Sequence, residues 1–181
     1  MIAIPNDVIR FWFGEIKPNQ WWARDAEFDE ALTARFGETH NAATRCELYG
    51  WREQPAGRLA EVIVLDQFSR NIYRDDPRSF AFDPLALCLA QEAVRVGADQ
   101  ALPREQRVFL YMPFMHSESA VIHEFAMKLF GDLGIESNLE YERRRKAIIE
   151  RFGRYPHRNR ILGRTSTPEE VEFLSHEGSR F

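Results

Sequence analysis

An all-α fold is what the sequence predicts, on three observations. Apolar residues recur at the 3.6-residue spacing of a helix in one run after another. Helix punctuation brackets those runs, with Asn, Ser, Thr or Asp at their starts and Gly or Pro at their ends. And no stretch alternates apolar with polar residues between Asn-Gly or Gly-Gly turns, the pattern a hairpin would need.

Taken in order, NDVIRFWF at 6–13 opens on a capping-type Asn6 or Asp7 and predicts a short docked helix. After KPNQ and Trp21-Trp22, the spacing of Phe28, Leu32 and Phe36 predicts a helix stopped by Gly37, with another over 39–50 stopped by Gly50. A helix over about 57–73 follows, ended by DDPRS. Asp83 with Pro84 reads as an N-cap and first helical position, for a helix running to Gly97. REQRVFLYM at 104–112 becomes apolar on all sides, and Pro113 is expected to interrupt it. Ser117 offers the next cap, and Ile122, Phe125, Ala126, Leu129, Phe130 and Leu133 mark a core face, with Glu124 and Lys128 an exposed pair on another side. A helix over 137–152 stops at Gly153, and TPEE at 167–170 is a capping box that starts a last short one. Short connections make antiparallel helix pairs the expected packing, and Gly97 and Gly131 lie 34 positions apart, the tetratricopeptide period. The fold class predicted is thus a tetratricopeptide-like bundle or short superhelix.

The 181 residues are expected to form a single helical domain, 1–181, with no Ser/Gly/Pro linker to divide them. Fourteen Phe and four Trp supply a large core without disulfides or metal, so no cofactor is expected. Cys46 and Cys88 show no metal-ligand spacing and are expected to be free, buried thiols. The N-terminus lacks the features of a secretory signal, and no run approaches the roughly 18 apolar residues of a membrane span, so a cytoplasmic soluble protein is expected. Net charge is −4, yet residues 140–164 hold nine Lys/Arg against Glu140, Glu142 and Glu150. RRRK at 143–146 is expected on the solvated sides of a helix, and the acidic whole, without a nucleic-acid module, argues against RNA or DNA.

Three segments are richer in polar groups than packing requires. In LDQFSRNIYR at 65–74, one helical stripe runs from Leu59 and Ile63 into Asp66 and Arg70. Buried charges must be paired or border a wet cavity, so this stripe predicts either an Asp66–Arg70 ion pair or a pocket floor with Arg70 and Arg74 held towards an anion. In FLYMPFMHSESAVIH, His116 and Glu118 flank a helix start and are the candidate proton-transfer residues, whereas His123 reads as a core histidine bonded to a backbone carbonyl. In RFGRYPHRNRILGR, Pro156 sets Arg158 and Asn159 in a non-helical turn suited to recognition. The FWF and QWW aromatics are read as core.

These same segments, FWFGE, LDQFSRNIYR with DPLAL, FLYMPFMHSE, ERFGRYPHRN with ILGR, and TPEEVEFL, resemble a bacterial family of uncharacterised proteins, domain of unknown function 924, over nearly the whole chain. The resemblance implies a tetratricopeptide-like helical fold and brings no activity with it; Ser69 stands where relatives often carry proline. Two functions are compatible with the residues. The first is a pocket for a small anionic metabolite, binding or enzymatic, built from Asp66, Gln67, Arg70, Asn71, Arg74, Arg158 and Asn159 beside His116 and Glu118. The second is a scaffold whose helical groove takes a peptide or protein partner.

Overall fold

The apolar stripes do fold as helices. The computed structural model describes residues 1–176, and those residues contain eight helices and no strand. Helix α1, Pro5–Arg10, widens into a π turn at Phe11–Glu15. Helix α2 is Ala26–Thr44, and α3 runs from Pro55–Ile63 through a second π turn, Val64–Phe68, into Ser69–Ile72. Then come α4 (Asp83–Arg95), α5 (Arg104–His116), α6 (Ala120–Leu133), α7 (Glu136–Phe152) and α8 (Pro168–Leu174). Sequential neighbours from α3 to α7 pack pairwise, and α3 also touches α1, α2 and α5, which makes it the central element.

Central position explains why α3 is buried on every side from Leu59 to Ser69. Around it lie Trp12, Phe36, Phe68 and Phe109, each almost wholly shielded from solvent; burial of side chains this size contributes roughly 1.5–3 kcal/mol apiece. A second, small cluster of Ile148, Ile149 and Tyr155 joins the end of α7 to Phe173 of α8. Glycine is obligatory at one point of contact: a Cβ on Gly57 would meet the Trp51 carbonyl oxygen at 2.0 Å. Gly57→Ala is therefore expected to cost about 1–3 kcal/mol, as overpacking does, seen as a lower urea midpoint; an unchanged midpoint contradicts this contact.

Several stops expected from local sequence are overridden by packing. Gly37 does not end α2: Thr39, His40 and Ala43 extend the buried face of Leu32 and Phe36, and that burial outweighs the roughly 1 kcal/mol helical cost of glycine. The helix expected over 39–50 is accordingly the end of α2, and Gly50 lies in a 3-10 turn, Tyr49–Glu53. Pro113 lies inside α5, which continues to His116 because Val108 to His116 are buried on all sides. His116 thus ends a helix, and the start expected at Ser117 lies two residues on, with Ser119 as the N-cap position. Phe125 is 57% exposed, and fully buried His123 takes its place on the inner face of α6. Lys128 pairs with Asp132, and Glu124 with Lys146 from α7. Both cysteines are free but exposed. The Thr167–Glu170 capping box forms as spelled, and Gly134 and Gly153 end α6 and α7 in left-handed conformation.

Candidate functional site

The wide π turn in α3 is where the helix changes from oil to charge. Ser69 Oγ donates to the Leu65 carbonyl at 2.6 Å and Arg70 Nη1 to the Asp66 carbonyl at 2.6 Å, supplying donors to the widened ladder. Asp66, fully buried, then becomes a hub. It accepts from Gln67 Nε2 at 2.5 Å, lies 2.7 Å from His116 Nδ1, and pairs with Arg70 Nη1 at 3.1 Å. Burial would raise its carboxyl, but Arg70 and His116 override this and hold it well below the usual carboxylate range.

Asp83 is the second hub. It occupies the first turn of α4, where it looks like a cap in the sequence, yet its side chain caps nothing. Instead it accepts from Arg70 Nη2 at 3.0 Å and from Arg158 Nη1 at 3.2 Å, so one carboxylate bridges two guanidiniums. Burial, reinforced by the Asp66 charge, raises the Asp83 carboxyl against the pull of both arginines. Arg158 is 95% shielded, stacked between the Phe80 and Tyr155 rings at 4.6 and 4.7 Å, and donates through Nη2 to the His116 carbonyl at 2.9 Å. Its Nε is buried with no hydrogen-bond partner among the described residues. Burial lowers Arg158 to about 10, and nearby Arg70 adds to that fall, so this cation is under-compensated.

Arg70, His116 and Arg158 border a cavity of about 510 Å³, at the seam between the main core and the small α7–α8 cluster, with Asp66 and Asp83 behind its wall. Among the described residues its wall carries six arginines, Arg24, Arg70, Arg74, Arg145, Arg158 and Arg160, and one acidic residue, Asp75, while Asp29, Asp66 and Asp83 pair with arginines from behind it. Trp21, Trp22, Phe80, Ile161 and Leu174 supply the apolar part. His116 and His157 both line it, and burial together with arginine charge pushes each down to about 3, a sign of a positive interior.

Of the residues singled out in the sequence, Gln67, Arg70, Asn71, Arg74, His116 and Arg158 border this cavity. Asn71 and Arg74 are both tethered by Asp29 of α2, and Asp66 stands behind the wall. Glu118 and Asn159 are placed elsewhere, in the brace beneath the loop. Glu118 accepts from Tyr155 N at 2.7 Å and from Arg164 Nη1 at 2.7 Å; Asn159 Nδ2 donates to Ser166 Oγ and Glu170 Oε2, and its Oδ1 accepts from Arg164 Nε. His123 meets the carbonyl of Ser117 at 2.9 Å and Glu142 Oε1 at 2.6 Å. The sequence reading missed Asp83, Asp29, Arg145 and the two tryptophans of the rim. Arg145 belongs to the RRRK run read as solvated, and Trp22, read as core, is 61% exposed. The signal available for Asp83 was the DPLAL segment, whose cap-like spelling hid a second use.

Fold and cavity together define an all-α protein with an arginine-walled hollow at the junction of its two hydrophobic clusters. The chain belongs to the family described as bacterial protein of unknown function (DUF924), which matches residues 8–178. It is similar to the solved structure of a protein of unknown function from Agrobacterium tumefaciens, at 43% identity and a TM-score of 0.90, over 94% of this chain and 96% of that one. No curated protein matches it.

Proposed function

We propose that the protein binds a small anionic ligand in the arginine-walled cavity. The observation that carries this reading is Arg158: a buried guanidinium on the cavity wall, over the Phe80 and Tyr155 rings, with its Nε unbonded among the described residues and its one ion pair made with a carboxylate that it shares with Arg70. An anion entering the cavity would add counter-charge to a guanidinium that shares its single carboxylate partner with Arg70. Arg24 and Arg160, both exposed and flanking Asp75, add attraction at the rim, which in water is screened by salt.

The scaffold reading draws on the pairwise packing of consecutive helices and on polar residues that act as interior braces, as Glu118 and Asn159 do. A cavity walled by six arginines is more charge than a brace needs, which is why anion binding is preferred. Exposed free thiols fit a reducing, cytoplasmic setting, and among the described residues no helix is long and apolar enough to cross a membrane.

Calorimetry and thermal shift with inorganic phosphate, malonate and phenylacetate, against choline as a cationic control, test the reading. At least one anion is expected to bind, with affinity that falls as salt rises and drops about tenfold or more in Arg158→Gln and in the exposed Arg160→Glu. Absence of binding by all three anions overturns it.

A further inference from the structure

Resting on the anion reading, we propose that the cavity selects an acid bearing a neutral hydrogen-bond donor beside its anionic group and an apolar or aromatic remainder, the chemistry of an aryl 2-hydroxy acid. The neutral donor is required by His116. Its Nδ1 meets the Asp66 carboxylate at 2.7 Å, and a carboxylate accepts, so the ring proton sits on Nδ1 and the lone pair on Nε2. The ring lines the cavity, and no group among the described residues bonds Nε2. His123 differs in having both ring nitrogens engaged, one by Glu142 and the other by the Ser117 carbonyl, and His40, which also leaves a ring nitrogen unbonded, lies away from the cavity.

Donors for the anionic group line the same cavity: Arg70 meets the Asp66 oxygen that His116 Nδ1 also meets, and Arg158, which shares the Asp83 carboxylate with Arg70, bonds the His116 backbone carbonyl. A ligand that satisfies them needs acceptor oxygens and a donor within a few bonds of each other. An ammonium would be such a donor, but six arginines in the wall repel it, which leaves a hydroxyl as the smallest neutral choice. The remainder of the ligand meets Trp21, Trp22, Phe80 and Leu174, and the indole of Trp22 is offered at the rim, 61% exposed. The volume, about 510 Å³, is that of an ordinary small-ligand pocket.

Three sodium salts separate the parts of this inference on the full chain: mandelate, phenylacetate (which lacks the hydroxyl) and lactate (which lacks the ring). By calorimetry, mandelate is expected to bind about tenfold more tightly than either of the others. His116→Ala is expected to erase its advantage over phenylacetate alone, and Trp22→Ala its advantage over lactate alone. Equal binding of mandelate and phenylacetate by the unaltered protein overturns the inference and leaves the anion reading standing, as does binding of phosphate with none of the three acids. If no acid and no phosphate binds, both fall. The comparison of ligands needs no variant, so a His116→Ala protein that does not fold leaves the test intact.

Discussion

Acidification from about pH 7 to about pH 4.5 is expected to unfold the protein, through histidines more than carboxylates. His40 is held down to about 4 by burial, and His116 and His157 to about 3 by burial and neighbouring arginines. In the unfolded chain each takes up a proton near pH 6.5. Between those limits the unfolded state binds more protons, so stability is fully present above about 6.5 and is lost as pH falls. Each group contributes up to about 1.4 kcal/mol per pH unit, and the three together up to about 4. Asp66 and Glu170, both depressed, act in the same direction below the usual carboxylate range, while Asp83 and Glu142, both raised, oppose it. Urea midpoints at pH 7, 6 and 5 should fall steadily; a flat profile over that window contradicts the neutral state of these three rings.

Asp66→Ala is expected to cost about 3–5 kcal/mol, the range for breaking a buried charge pair from one side. The carboxylate serves Arg70, His116 and Gln67 at once, and it is wholly shielded while Arg70 is mostly so. Its loss leaves Arg70 with Asp83 as its remaining carboxylate and takes from His116 Nδ1 and Gln67 Nε2 the buried acceptor they share. Asp66→Asn keeps the volume but not the charge and should fall between the two. The check is a denaturant midpoint shift at constant m-value; a loss below about 1 kcal/mol, the scale of exposed pairs, would show that the hub is hydrated.

How far the sequence alone leads depends on the range of the interaction. Helix ends written in local chemistry were legible: the Thr167 capping box and the left-handed Gly134 and Gly153 depend on a few neighbours in the chain. Stops at Gly37 and Pro113 were misread because distant packing pulls the helices past them. The same division runs through the cavity. Arg70 stood out as a charge inside an apolar stripe, and Arg158 as a cation past a helix end, since both break a local rule. Asp83 obeys a local rule, Asp-Pro at a helix start, so nothing in its neighbourhood announced that it joins two arginines 13 and 75 positions away. The two π turns were equally hidden, because a 3.6-residue stripe drawn through Leu59 to Tyr73 assumes a regular ladder.

The seam on which the cavity lies has a thermodynamic consequence. One wall carries Gln67, Arg70 and His116 from the side of the large cluster, the other carries Pro156, Arg158, Ile161 and Leu174 from the segment beside the small one, and polar ties such as Tyr155 to Met115 and Arg164 to Glu118 join the two sides. A guest touching both walls acts as a clasp across that joint, so its affinity and the docking strength of the C-terminal third are linked quantities. Protease trimming from the C-terminal side and occupancy of the hollow should therefore report on one and the same equilibrium.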